Sequence, residues 1–342
     1  MLTERQKFIL TLVIHEYTRT AAPVGSKNLV EQYNLEMSPA TVRNEMAVLT
    51  DLGYLRQPHT SAGRVPTEEG YRYFVGRLLR ETELPDATRR MISHQFYQTR
   101  HDIDEWMRLA ASVLAHQARA ASLVTAPHPE RARLKHLELI STRGRQVLMV
   151  LVTAGGGIHQ RLLTLPEPVQ QEQLSETAAR VTQLLQGKTA DEVTQMRGQL
   201  HGLDEDVVDW VVEDMNQADS LTSGEVYLDG LTNVLAEPEF SASSEARRAL
   251  RLLEERSLLY DLLSRTVLNA NIGGVQVLIG GEGAWDELRQ CSMVLARYGA
   301  PGVVTGTLGV LGPIRMSYGR AISTVRFIAS LLSDMVAESL GD

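Results

Sequence analysis

Over the first eighty positions, apolar residues recur at helical spacing in short, punctuated runs. Ile9, Leu10, Val13, Ile14 and Tyr17 fall on one helical face, and Thr3 with Gln6 reads as a capping box at its start. A second, short helix opens at Pro23 to Ser26. Ser38-Pro39 joins an N-cap to proline at the first helical position, and Gly53 follows the last apolar residue, which brackets a third helix from Pro39 to Leu52. Tyr54 to Gln57 is then strand-like, Pro58 to Gly63 has turn composition, and Arg64 to Pro66 can return antiparallel before Thr67 caps a helix reaching about Arg80. Three helices followed by a hairpin predict a winged helix-turn-helix over residues 1–82.

Leu84-Pro85 breaks that pattern, and Asp86 to Arg119 is helical again, with Met91, Phe96, Trp106, Leu109, Val113 and Leu114 as burying positions; residues 83–120 read as connector helices. From Leu134 the period becomes that of strands, at Leu137 to Ser141 and Gln146 to Thr153 across the turn Thr142 to Arg145, followed by a helix from Gln171 to Gln186. Comparable β-rich segments return only at Val275 to Ile279, Cys291 to Arg297 and Val303 to Val310, before a closing helix from about Ser317 to Leu340. The split predicts one α+β domain, 121–189 and 266–342, interrupted by an insertion at 190–265. Within the insertion the pattern predicts a helix at Asp204 to Asn216, a strand at Glu225 to Leu235 and a long helix at Ser243 to Val267.

At 342 residues the chain is long enough for two or three domains. With 43% hydrophobic and 22% charged residues it falls outside collagen-like, disordered and disulfide-scaffold compositions. A single cysteine, Cys291, excludes an internal disulfide and a cysteine-based zinc finger, and fits a reducing compartment. The longest apolar stretches, Val147 to Ile158 and Ala300 to Ile314, are too short or too rich in Gly and Pro for a membrane span, and the N-terminus lacks a signal-peptide pattern; a cytoplasmic location is expected.

Net charge is −8, which alone argues weakly against nucleic acid. The average conceals an asymmetry: residues 1–80 carry ten Lys and Arg against eight Asp and Glu, whereas residues 191–240 carry thirteen acids and only Arg197.

The third predicted helix carries the sharpest chemistry. At about 100° per residue, Val42, Met46 and Leu49 stack on one side, while Ala40, Arg43, Asn44 and Ala47 face the other. Small residues flanking an Arg and an Asn suit entry into the major groove, where Arg bridges guanine O6/N7 and Asn bridges adenine N6/N7. The hairpin Arg56-Gln57-Pro58-His59-Thr60-Ser61-Ala62-Gly63-Arg64 adds two guanidiniums, an imidazole and two hydroxyls, all phosphate ligands by type. An isolated polar helix face or polar turn most often binds nothing; the two together, in this order, favour DNA. The expected DNA-binding residues are Ser38, Ala40, Thr41, Arg43, Asn44, Arg56, His59, Thr60, Ser61 and Arg64.

Enzymatic features are thin. Gly155-Gly156-Gly157 and Gly280-Gly281-Glu282-Gly283 complete neither G-x-G-x-x-G nor a P-loop and read as turns. The nine histidines show no metal-site spacing, and Cys291 sits in an apolar run, so no catalytic residue, metal or cofactor is expected.

These residues carry a family resemblance. Pro23-Val24-Gly25-Ser26, Ser38-Pro39-Ala40-Thr41-Val42-Arg43-Asn44-Glu45-Met46, Leu52-Gly53-Tyr54-Leu55 and Gln57-Pro58-His59-Thr60-Ser61-Ala62-Gly63-Arg64-Val65-Pro66-Thr67 resemble the heat-inducible transcription repressors of the HrcA family. The likeness continues through Gly70-Tyr71-Arg72 and, more loosely, into Gly306 to Met316. It implies an α+β multidomain fold: an N-terminal winged helix-turn-helix and a GAF-like domain interrupted by an inserted α/β dimerising domain. It also implies repression of chaperone operons through an inverted repeat called CIRCE, supported by the chaperonin GroEL, with the recognition helix at Ser38 to Leu52 and the wing at Gln57 to Pro66.

A homodimer is therefore expected on double-stranded DNA. Leu252, Leu259 and Leu262, with Leu263, stripe the predicted long helix; such a stripe is more often core than interface, but an insertion of about seventy-five residues can hardly bury them all alone, which makes the first three the expected dimerisation surface. Two alternatives remain at this point: a metabolite-responsive winged-helix regulator whose GAF-like domain binds a ligand, and a small-molecule-binding enzyme whose winged helix serves protein contacts.

Overall fold

The computed structural model describes residues 2–60, 62–79, 83–99, 102–129, 131–154, 157–197, 201–220, 225–241, 251, 253, 255, 258–259, 262–263, 266, 272–280, 285, 288–300 and 303–341. Two compact units divide the chain: Met1–Ala126, Glu225–Gly299 and Gly306–Asp342 form the first, Pro127–Gly224 and Ala300–Thr305 the second.

The first unit begins with α1 (Glu4–Thr20), α2 (Ser26–Tyr33) and α3 (Pro39–Asp51). The capping box forms as the sequence predicts: Gln6 N donates to Thr3 Oγ1 at 3.2 Å and Thr3 N to Gln6 Oε1 at 3.0 Å. Strands β1 (Leu55–Arg56) and β2 (Val65–Pro66) pair antiparallel, and α4 (Glu68–Tyr73) continues as a π-helical turn, Phe74–Leu78. Ile9, Leu10, Val13, Leu29, Val42, Leu49 and Leu55 are buried as the core of this winged helix.

The rest of the unit is built on an antiparallel sheet flanked by α5 (Asp86–Gln98) and α6 (Ile103–Ala118). Its strands are β3 (Ala121–Thr125), β8 (Val226–Asp229), β9 (Val275–Ile279), β10 (Cys291–Ala300) and β11 (Val304–Pro313), in the order β8-β3-β11-β10-β9. Helix α12 (Tyr318–Gly341) and α6 cover one face; Ser122 Oγ donates to the Ala111 carbonyl at 2.7 Å and Ser292 Oγ lies 2.7 Å from the Tyr318 hydroxyl. The other face, with Ala121, Leu123, Cys291, Met293, Leu295 and Leu311, packs on Val234 of α10 (Leu231–Leu235), Phe240 of α11 (Pro238–Ser241), and Leu253, Leu259, Leu262 and Leu263. Burial on both sides explains why β10 reads as an apolar run, Met293 to Ala296, without polar alternation.

The second unit holds β4 (His128–Pro129), which pairs with Val304 and Thr305, and the meander β5 (Leu134–Ser141), β6 (Gln146–Thr153) and β7 (Ile158–Thr164). Helices α7 (Gln171–Leu185), α8 (Ala190–Met196) and α9 (Leu203–Ser220) lie on one face of that meander; Leu137, Leu139, Met149, Leu151 and Leu163 pack there against Leu174, Val181, Leu185, Val193, Val207 and Val211. Acids of the charge-dense stretch pair within this unit, Asp204 with Arg180, Glu205 and Asp209 with Arg197, and Glu213 and Asp214 with Arg161. Arg180 holds the Asp204 carboxyl below its ordinary range through their hydrogen bond.

Four expectations change; the first is Met91, expected to bury and 49% exposed on α5. The compact units part at residues 126/127 and 224/225, not at 190 and 265, because β8 pairs with β3 (Leu123 opposite Leu228) and draws residues 225–266 into the first unit, while α8 and α9 complete the core over β5 to β7. The predicted strand over 225–235 stops at Asp229: Gly230 adopts φ +70° and α10 follows. Leu259 and Leu262, expected at a dimer surface, are 0% exposed inside the chain's own core, and a side chain without exposed area has none left for a second copy; Leu252 lies outside the described residues. Cys291 is likewise buried, and burial pushes its thiol up to about 12, far from a nucleophile's range.

No described helix is long and apolar enough to cross a membrane, and no group of three or more His, Cys, Asp or Glu that could hold a metal ion occurs among the described residues.

Candidate nucleic-acid interface

Helix α3 starts where Ser38 Oγ accepts from Thr41 N at 3.1 Å, with the two hydroxyls 2.9 Å apart, and Pro39 at its first position. It stops at Gly53, whose φ of +82° turns the chain so that Tyr54 N reaches the Leu49 carbonyl at 2.9 Å. Val42, Met46 and Leu49 are buried, and this anchors the orientation of the opposite face. Ala40, Arg43 and Asn44 are exposed there, and neither Arg43 nor Asn44 makes a hydrogen bond or ion pair among the described residues.

The wing is braced rather than loose. Gln57 Nε2 donates to the carbonyls of Thr60 and Ala62 at 2.9 and 3.0 Å, and Ala62 N to His59 O at 2.9 Å closes the turn. Its return strand is locked to the chain before α2: Val24 and Arg64 exchange two backbone hydrogen bonds of 2.8 Å each. A β-carbon on Gly63 would lie 2.4 Å from the Val24 carbonyl group, so glycine is what permits this approach. Gly63→Ala is therefore expected to cost about 1–3 kcal/mol of stability and to weaken DNA binding with it. Thermal unfolding checks this, and an unchanged midpoint would show that the wing stands without the bridge.

The bridge assembles a cavity of about 370 Å³ lined by Gly25, Ser26, Arg43, Gln57, Thr60 and Arg64, among others. Arg64 Nε is buried there without a hydrogen-bond partner, an unmet donor that a phosphate oxygen would satisfy. Thus Arg43, Thr60 and Arg64 come together, and His59 is exposed on the turn beside them. Arg56 does not join them: it lines a separate cavity of about 480 Å³ with Tyr17, Thr67 and Glu68. Ser38 and Thr41 are engaged in capping, and Ser61 lies outside the described residues. Sequence reasoning passed over Gly25, Ser26 and Gln57 as site residues; the Gly-Ser step at a helix start was the available signal.

Thr67 ties the wing to α3 from the other end, donating to the Gly53 carbonyl at 2.6 Å while capping α4. Within the same unit, Arg72 donates to the Ile279 carbonyl at 3.1 Å and Arg315 to the Thr18 carbonyl at 3.2 Å, so polar contacts hold the winged helix against the sheet-bearing core.

The chain is similar to known proteins along its whole length. Residues 1–77 match the family described as "Winged helix-turn-helix transcription repressor, HrcA DNA-binding", and residues 104–322 match "HrcA protein C terminal domain". A heat-inducible transcription repressor HrcA of Roseiflexus castenholzii is 45% identical over 348 residues, covering 99% of this chain and 96% of the relative. That of Thermomicrobium roseum is 44% identical over 340 residues (99% and 97%), and that of Dehalococcoides mccartyi strain BAV1 35% over 341 (100% and 98%). A solved structure described as "Crystal structure of a hypothetical protein at 2.2 A resolution" superposes with a TM-score of 0.62 at 23% identity, covering 99% of this chain and 100% of that one, a likeness of fold. Identity of this level along essentially the whole chain, together with a winged helix built from the quoted motif, makes the chain a member of the HrcA family of heat-inducible transcription repressors.

Proposed function

We propose that the chain represses class I heat-shock (chaperone) operons by binding, as a homodimer, an inverted-repeat operator of the CIRCE type on double-stranded DNA. The observation that carries this reading is the outer face of α3: Arg43 and Asn44 are exposed and unengaged on a helix whose other face is buried, and Arg43 shares its cavity with Arg64. In this reading Arg43 and Asn44 read base edges, while Arg64, Thr60 and His59 hold phosphates. Arg56, off that cavity, is left as a backbone contact at most. No catalytic step is assigned to any residue.

One winged helix reads too few base pairs to stand out against a genome, so an inverted repeat calls for two copies at a fixed separation. The second unit offers the surface for pairing. Opposite its helices, the β5-β6-β7 meander presents the cross-strand rows Ile140-Leu148-Leu162 and His136-Val152-Ile158. Ile140, Ile158 and Leu162 are 44%, 63% and 57% exposed, apolar side chains on either side of a middle row, Glu138-Val150-Gln160, with no cover in the single chain among the described residues. A second copy is the occupant we assign to it, which moves the dimer contact from residues 190–265 to 127–224. The sheet-bearing core of the first unit is then the GAF-like part that the resemblance implies, and GroEL the chaperonin partner it implies.

The test is a gel shift of an inverted-repeat duplex against a scrambled one over a range of salt. Operator preference is expected, and Arg64→Ala is expected to weaken binding to both duplexes and to reduce the salt slope by roughly one unit. Equal binding of wild type to the two duplexes overturns the repressor reading; an unchanged slope overturns the role of Arg64.

A further inference from the structure

A cleft of about 520 Å³, distinct from the cavity beside α3, lies within the first unit between the last turn of α1, the end of α6 and the start of α12. Its size is in the range of small-ligand sites. Four guanidiniums line it, those of Arg19, Arg119, Arg315 and Arg320, against one carboxylate, Glu237, among the described residues.

The four are not equivalent. Arg19 is matched by Glu16 at 2.8 Å. Arg315, with a side chain only 10% exposed, is held by Glu237 and by Glu239 at 2.6 Å and donates to the Thr18 carbonyl at 3.2 Å; it belongs to the wall. Arg119 and Arg320 are exposed at the cleft, and their guanidiniums have neither a carboxylate nor any other hydrogen-bond partner among the described residues. Arg119 also occupies the left-handed backbone position that ends α6, with φ +52°, where glycine or asparagine is the usual residue. The same left-handed position closes α1 at Ala21 and α2 at Asn34, so at Arg119 it serves the helix end while the side chain is placed at the cleft.

We propose that this cleft binds a small molecule carrying a diphosphate group, with Arg119 and Arg320 as its ligands. Two planar guanidinium forks, each suited to two oxygens of one phosphate, match two linked phosphates better than a monocarboxylate, which satisfies one fork only. The walls come from both sides of one contact: Thr18 to Ala21 from the winged helix, the remainder from the sheet-bearing core. A ligand that recognises both walls stabilises their docked arrangement by mass action, which couples its concentration to the position of the DNA-reading helix. Binding at the cleft is independent of the operator reading; only its coupling to α3 rests on it.

The experiment is titration of the full chain with inorganic pyrophosphate by calorimetry, at constant ionic strength and with sulfate as the competing anion. Saturable binding of one pyrophosphate per chain at this site is expected. Arg119→Asn with Arg320→Gln is expected to weaken it at least tenfold, and asparagine accepts the left-handed backbone, so the helix end is kept. Arg43→Ala with Arg64→Ala, on the other cavity, is expected to leave this binding unchanged. The proposal is overturned if no saturable heat appears or if sulfate competes on equal terms, which marks unspecific anion attraction. It is equally overturned if the Arg43/Arg64 variant rather than the Arg119/Arg320 variant loses the binding, or if the latter variant loses only affinity for random duplex, which would assign the cleft to the DNA footprint.

Discussion

Leu162→Asp is expected to yield a folded monomer that has lost tight operator binding. Leu162 is 57% exposed on the outer row of the β5-β6-β7 sheet, so in the single chain a carboxylate there stays in water and costs little. In the proposed dimer the same carboxylate would be buried without a partner, a penalty of several kcal/mol that outweighs the contact. Operator affinity falls with it, since tethering two half-site readers contributes on the order of 10²–10⁴ in avidity. Leu259→Asp is the informative contrast. That side chain is 0% exposed beneath the sheet of the first unit, so the charge is expected to destabilise the unit by about 3–5 kcal/mol and to lower the unfolding midpoint before any effect on association. Sedimentation and thermal unfolding separate the two: Leu162→Asp changes mass and retains a cooperative transition that no longer depends on protein concentration, whereas Leu259→Asp lowers the midpoint at every concentration. A dimeric Leu162→Asp variant with normal operator binding would remove the open sheet face as the contact.

Arg43→Ala and Asn44→Ala are each expected to cost about 1–3 kcal/mol of operator binding and to relax specificity at the base each one reads. Neither side chain supports the fold: both are exposed on α3, and alanine is a good helix former, so the helix survives the change. Binding to random duplex, which depends on phosphate contacts, is expected to stay nearly intact. Measuring each variant on operator and on scrambled DNA decides the matter, because equal losses on both would make these residues phosphate contacts. Base readers, unlike the salt-sensitive Arg64, carry their effect in the ratio of the two affinities.

The winged helix was the most legible part of the chain. Its signals are local: Thr3 with Gln6, Ser38-Pro39 and Gly53 act within a few residues, and each produces its cap or turn in the structure. The face of α3 was equally readable, since 3.6-residue periodicity alone separates Val42, Met46 and Leu49 from Arg43 and Asn44. Strands β6, β9 and most of β5, β10 and β11 were visible as apolar or alternating runs. Strand β7 was not, because His159, Gln160 and Arg161 stand between Ile158 and Leu162 and break any apolar run or alternation.

By itself, then, the sequence determined elements, caps and the chemistry offered by one helix face, all of which depend on neighbours within a turn or two. Which element covers which was settled by long-range packing. The leucines at 259 and 262 advertise an apolar stripe, but periodicity is silent on whether its cover is a partner chain or the sheet of Ala121, Cys291 and Leu311, some thirty or more residues away in sequence. The same holds for the unit boundary, set by β8 choosing β3 as its neighbour, and for Arg56, turned toward Tyr17 instead of joining Arg64. Burial is a non-directional gain proportional to area removed from water, so an apolar stripe specifies that it will be covered and leaves the identity of the cover to long-range packing.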